Sequence, residues 1–170
     1  MFWIKIIKKV IKALNANVSP SELAGGILLG AGLGLIPGFK LHELLIIALL
    51  IVLRVNVGAA IIFAPLFAIA GYFLDPVSGA LGYSLLTMDA LQGLWTTLYN
   101  IPLVPFTGFN NTVTLGSTLI YTVMAAPLYL FLKKAVILYR KKILPLLEKL
   151  KIFKILKASK LYSVYDRYRG

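Results

Sequence analysis

The sequence predicts an all-α polytopic membrane protein: a helical bundle with broken or re-entrant half-helices and basic amphipathic terminal helices. Three observations carry this. The 170-residue chain is 59% hydrophobic, against roughly 45–50% for a soluble domain, and its mean hydropathy is +0.87. The apolar residues fall in long runs, as in membrane-spanning sequence. The formal net charge of +12 is gathered at the two ends. Lys5, Lys8, Lys9 and Lys12 sit near the start, twelve Lys and Arg residues lie from Lys133 onward, and none lies between residues 55 and 132. Basic blocks flanking an apolar body follow the positive-inside rule. Both termini are therefore expected in the cytoplasm, facing the lipid bilayer and its anionic headgroups, with an even number of crossings. Charge placed this way argues against a nucleic-acid partner, which would draw on a basic surface spread over the fold. The chain has no cysteine, which excludes disulfides and thiolate metal sites.

Three regions are expected: 1–17, 18–134 and 135–170. In the first, FWIKIIKKVIKAL (residues 2–14) places its four lysines within one arc at about 100° per residue, opposite Trp3, Ile4, Ile7, Val10, Ile11 and Leu14. This is a basic amphipathic helix suited to the cytoplasmic interface. Its lysines interrupt the apolar run, unlike a cleavable signal.

The transmembrane region opens at Ser19-Pro20-Ser21-Glu22, a helix start with Ser19 as N-cap, Pro20 at N1 and Glu22 as the capping-box partner. The following helix carries Gly26, Gly30 and Gly34 at intervals of four. Such a small-residue face lets another backbone approach closely. Pro37-Gly38 must end this helix. The fourteen residues from Leu23 to Ile36 span about 21 Å, short of a bilayer core of about 30 Å. The run Leu44–Leu53 is shorter still. Two half-length helices joined by a Pro-Gly break predict a re-entrant hairpin returning Arg54 to the cytoplasmic side. The competing form, one long kinked span, would put Arg54 on the far side.

Residues 57–74 read as the first full crossing, kinked by Pro65 and ended by Asp75-Pro76, with Asp75 at the outer interface. Residues 79–99 are a weaker run, and 101–111 a loop rich in helix breakers. Residues 112–132 form the last strong span, with Lys133-Lys134 as its cytoplasmic stop. The remainder reads as a basic, aromatic helix on the membrane surface, broken near Pro145.

The break Leu35-Ile36-Pro37-Gly38-Phe39 has an echo in Leu103-Val104-Pro105-Phe106-Thr107-Gly108-Phe109. A polar cluster follows each: Lys40, His42 and Glu43 in the first; Asn110, Asn111, Thr112 and Thr114 in the second. Paired, Gly/Pro-interrupted apolar segments point to a transporter-like binding site.

Ser19-Pro20, the glycine-rich helix, Leu35 through His42, and Leu53-Arg54-Val55-Asn56-Val57-Gly58-Ala59-Ala60 resemble the bacterial membrane family called domain of unknown function 2062, over about residues 18–86. The chain departs from that pattern with Pro-Gly-Phe at the turn and Phe63-Ala64-Pro65 further on. The resemblance implies an integral protein of the bacterial inner membrane and implies no activity.

His42 is the single histidine, and Glu43 beside it is expected on a different helix face. No catalytic constellation, metal-ligand spacing or phosphate loop is present, so no enzyme, cofactor or metal is expected. Charged residues inside membrane sequence are costly and mark functional sites. Lys40, His42, Glu43, Asn110 and Asn111 are therefore the candidate substrate-binding residues, with free N–H groups at a helix start favouring an anion and His42 able to exchange a proton. The expected function is a small carrier or flippase-like protein for an anionic lipid or small anion, acting as a homodimer because one chain has few helices. The alternative is a structural or assembly protein packing through Gly26, Gly30 and Gly34.

Overall fold

A computed structural model describes residues 2–149. The part of the expected surface tail from residue 150 onward lies outside the described residues. Among these residues the secondary structure is entirely helical.

Helix α1 (Phe2–Leu14) leads through a tight turn to α2 (Pro20–Leu35). The α2 start is a full capping box: the Ser19 hydroxyl accepts the Glu22 N–H at 3.1 Å, and the Glu22 carboxylate accepts the Ser19 N–H at 3.0 Å. Pro37 and Gly38, with Gly38 at φ +85°, end α2 and reverse the chain into α3 (Leu41–Val52). Ile46 then packs beside Gly32, Leu50 joins Leu29, and Val55 reaches Gly25. The two helices thus form an antiparallel hairpin, not one kinked span, and the Asn56 N–H donates to the Glu22 carbonyl at 3.0 Å. Arg54 returns to the level where α2 began.

From there α4 (Val57–Leu86) rises parallel to α2, capped by Asn56, whose side-chain oxygen accepts the Ala59 N–H at 2.7 Å. Gly26, Gly30 and Gly34 face α4: a Cβ on Gly30 would lie 2.6 Å from the Ala60 carbonyl oxygen, and those on Gly26 and Gly34 would overlap the carbonyls of Asn56 and Ala64. Backbone thus packs directly on backbone. Asp75-Pro76 does not end this helix, contrary to the sequence expectation. Pro76 removes one intrahelical hydrogen bond, but Gly71, Ser78 and Gly82 around it are buried against neighbouring helices, and that packing carries α4 through.

A 3₁₀ turn (Asp89–Leu91), α5 (Gln92–Asn100) and a second 3₁₀ turn (Val104–Thr107) form the far-end connection. Helix α6 (Thr112–Leu138) then descends antiparallel to α4, with Gly82 against Thr112, Gly116 against Ser78, and Val136 beside Ala59 and Leu23. The helix runs on past Lys133-Lys134, and Pro145 does not break it. The helix widens into a π turn (Tyr139–Ile143) and continues as α7 (Leu144–Lys149). The physical reason is Pro145, whose ring would crowd the Lys141 carbonyl in a regular α turn; the wider turn absorbs it. In that turn the Arg140 guanidinium donates to the carbonyls of Leu14, Ala16 and Val18 at 2.8–3.2 Å, tying the α1–α2 connection to α6.

Two helices, α4 and the continuous run from Thr112 to Leu146, are long and apolar enough to cross a membrane; α2 and α3 are apolar but shorter. Apolar side chains such as Ile61, Phe73, Val77, Val123 and Phe131 point outward from the two long helices.

Candidate functional site

The two Pro/Gly breaks meet in space. Gly38 and Gly108 both have positive φ, +85° and +69°, which glycine adopts without a Cβ penalty. The Lys40 stem lies over Gly108, where a Cβ would collide with it. The Lys40 ammonium donates to the Thr114 hydroxyl on α6. Asn111, the N-cap of α6, accepts both the Thr114 N–H at 2.9 Å and the Thr114 hydroxyl at 3.2 Å. Lys40, Thr114 and Asn111 form one chain of contacts joining the starts of α3 and α6.

Helix starts leave N–H groups without intrahelical acceptors and carry partial positive charge. Two such starts converge here with a half-buried ammonium between them. Glu43 offsets part of that charge. Its carboxylate caps α3, accepting the Lys40 N–H at 2.5 Å, and it is only 3% exposed. The reverse half of a capping box is absent, because an ammonium has no lone pair to accept an N–H.

His42 and Glu43 do not diverge as expected. His42 Nε2 lies 3.0 Å from Glu43 Oε1. Both side chains curl around the first turn of α3, where no preceding turn obstructs them. No carboxylate pairs with Lys40 among the described residues. Neither Glu43 Oε1 nor His42 Nε2 has a well-aligned hydrogen-bond partner, and the Thr118 hydroxyl, one turn beyond Thr114 on α6, is also buried without one.

Asn110 stands apart. It is exposed and lines a cleft of about 490 Å³ with α5 residues and Phe109. Thr114 belongs to the polar cluster legible in the sequence, but its role as the acceptor for Lys40 does not show there; a helix-start threonine reads as a cap neighbour. Among the described residues no group of three or more His, Asp or Glu side chains is placed to hold a metal ion.

No solved structure matches the chain. An uncharacterized protein of Treponema pallidum (strain Nichols) is 29% identical over 150 residues, covering 88% of this chain and 93% of its own length. A family model described as "uncharacterized protein conserved in bacteria" matches residues 5–143, from α1 to the π turn and so well beyond the segment that carries the resemblance in sequence. With both broken segments and both long helices inside that match, the chain belongs to the bacterial family DUF2062.

Proposed function

We propose that the chain is a multi-pass protein of the bacterial inner membrane that binds and carries an anionic lipid or a small anion at the junction of its two broken segments. The observation that carries this reading is the Lys40 ammonium, unpaired with any carboxylate among the described residues and docked on Thr114 between two helix starts. Phosphate or carboxylate is the chemistry such a place accepts. His42 and Glu43 lie beside it, their side chains 3.0 Å apart, and the site is one of binding, not of catalysis.

The topology follows from the lengths. Helix α4, with 30 residues, reaches about 45 Å and crosses; α6 crosses back. Helix α2, with 16 residues, reaches about 24 Å, so α2 and α3 enter and leave by the same face as a re-entrant hairpin. Arg54, Lys133, Lys134 and Arg140 mark the cytoplasmic end, where α1 lies along the interface. Both termini are cytoplasmic on this reading. The far-end connection through α5 faces the hairpin tip, so both Pro/Gly breaks lie at one end of the bundle, and each opens a helix that descends from it, α3 and α6; paired broken segments of this kind mark carrier binding sites. A homodimer supplies the further helices a carrier needs. The assembly reading is weakened because the face of Gly26, Gly30 and Gly34 is already filled by α4 of the same chain.

The test combines topology and transport in the naturally cysteine-free chain. Single Phe39→Cys, Lys40→Cys, Asp75→Cys and Phe109→Cys variants are labelled in intact and permeabilised cells with an impermeant thiol reagent. Shielding of Phe39→Cys and Lys40→Cys from both sides, with Asp75→Cys open from outside, is expected. In proteoliposomes, Lys40→Ala is expected to slow movement of a fluorescent anionic phospholipid, or efflux of a small anion, by at least about tenfold, the equivalent of about 1.4 kcal/mol. Free labelling of Lys40→Cys from one side sinks the proposal, as does unchanged transport in Lys40→Ala.

A further inference from the structure

The cleft at the far end carries chemistry of a different kind from the Lys40 junction. Its volume of about 490 Å³ lies within the range of small-molecule sites. Its floor is Trp95 stacked on Phe109, with ring centroids 5.9 Å apart and planes at 25°. Its walls are Gln92, Thr96, Tyr99, Asn100 and Asn110, and no charged side chain lines it.

The walls spend part of their hydrogen-bonding capacity inside the fold. The Gln92 amide N–H₂ donates to the Leu86 carbonyl at 2.7 Å, that of Asn100 to the Thr96 carbonyl at 2.9 Å, and the Thr96 hydroxyl to the Gln92 carbonyl at 2.9 Å. The Trp95 indole N–H donates to the Leu85 carbonyl at 2.9 Å. These bonds use one N–H of each amide and the Thr96 hydroxyl proton, leaving the amide oxygens and second N–H groups of Gln92 and Asn100 and the Thr96 lone pairs for a ligand, with the exposed Tyr99 hydroxyl beside them. Only Asn110 keeps its whole amide available.

We infer that this cleft binds an uncharged polyhydroxylated group, the sugar or glycerol headgroup of a lipid. An uncharged wall that both accepts and donates selects ligands that do the same. Phosphate and carboxylate only accept and find no cation here. An ammonium group donates, but its desolvation calls for a counter-charge that the lining lacks. Hydroxyl groups satisfy the amide oxygens without charge, and the C–H face of a sugar ring covers the apolar floor of Trp95 and Phe109. This inference stands apart from carriage of an anion at Lys40: the cleft reaches that junction only through the backbone of Gly108 to Asn110, and each can fail alone.

Trp95 reports on its own occupancy. With Trp3→Phe the full chain has one tryptophan, in the cleft. The protein is placed in phosphatidylcholine nanodiscs doped with monoglucosyl diacylglycerol, phosphatidylglycerol, phosphatidic acid or phosphatidylethanolamine, and soluble methyl glucoside is titrated separately. The glucosyl lipid and phosphatidylglycerol are expected to shift Trp95 emission, and phosphatidic acid and phosphatidylethanolamine to leave it unchanged. Asn110→Ala removes an exposed side chain with no intramolecular bond, and is expected to weaken glucosyl-lipid binding about fivefold, the worth of one hydrogen bond. Lys40→Ala is expected to leave the glucosyl-lipid response intact, which separates this site from the anion junction. A response to methyl glucoside alone supports the polyol chemistry and moves the ligand from lipid to free sugar. Equal responses to phosphatidic acid or phosphatidylethanolamine overturn the inference, as does silence towards both polyol lipids and methyl glucoside.

Discussion

Lys40 and Thr114 are 74 residues apart in the chain, and the lysine ammonium donates to the threonine hydroxyl. The bond fastens the tip of the α2–α3 hairpin to the first turn of α6. A double-mutant cycle isolates it. Lys40→Met and Thr114→Val each remove one partner while keeping shape, and their coupling in thermal or denaturant unfolding is expected at about 1–3 kcal/mol, as for a hydrogen bond with one charged partner. Strict additivity would mean that the two breaks are not fastened here, and the proposed anion junction would lose its anchor.

Backbone contact between α2 and α4 makes a sharper prediction, since two glycines should respond oppositely. A Cβ on Gly30 meets the Ala60 backbone, whereas one on Gly93 meets nothing within 4 Å. Gly30→Ala is expected to cost about 2 kcal/mol or more through forced separation of the helices, in the range for overpacking. Gly93→Ala is expected to be neutral or to stabilise by up to about 1 kcal/mol through helix propensity. Melting temperatures in one detergent decide it.

These cases show what the sequence carries and what it does not. The Ser19–Glu22 capping box, the glycine face and the Pro37-Gly38 reversal are local: backbone geometry and residue spacing determine them. The fates of Pro76 and Pro145 are not local. Each breaks a helix by its own chemistry, yet α4 continues because Gly71, Ser78 and Gly82 are held by neighbours, and α6 continues by widening at Tyr139. The junction was half legible. Lys40, His42 and Glu43 stand out as polar residues in apolar sequence, and Asn111 stands out after the echoed break. That Lys40 selects Thr114, that His42 turns to Glu43, and that Asn110 faces another cleft are matters of tertiary placement, which no spacing encodes.

Arg140 makes its own prediction. Its guanidinium serves three carbonyls, those of Leu14, Ala16 and Val18. Arg140→Gln is expected to destabilise the α1–α2 connection by about 2–4 kcal/mol, as for several charge-assisted bonds lost together. Arg140→Lys should rescue little, because a lysine lacks the fixed fork that reaches three acceptors. Hydrogen exchange at residues 14–18 is the readout. Unchanged protection there in Arg140→Gln would show that α1 is held by its apolar contacts alone.

Leu103 offers the last test. It is the one non-glycine residue at positive φ among those described, at +74°, and its side chain is 64% exposed. A left-handed backbone costs an L-residue roughly 1–2 kcal/mol, and an exposed leucine recovers little of that by packing. The residue opens the turn that carries Gly108 to Lys40, so its strain sits in the segment facing the hairpin tip. Leu103→Gly is expected to raise stability by about 0.5–1 kcal/mol, the conformational relief less the entropy that glycine adds to the unfolded chain. If the strained turn helps the far-end segment move during carriage, the same variant will transport more slowly while melting higher. Higher stability with unchanged transport would assign Leu103 to structure alone, and lower stability would mean that its side chain packs against its surroundings well enough to offset the strain.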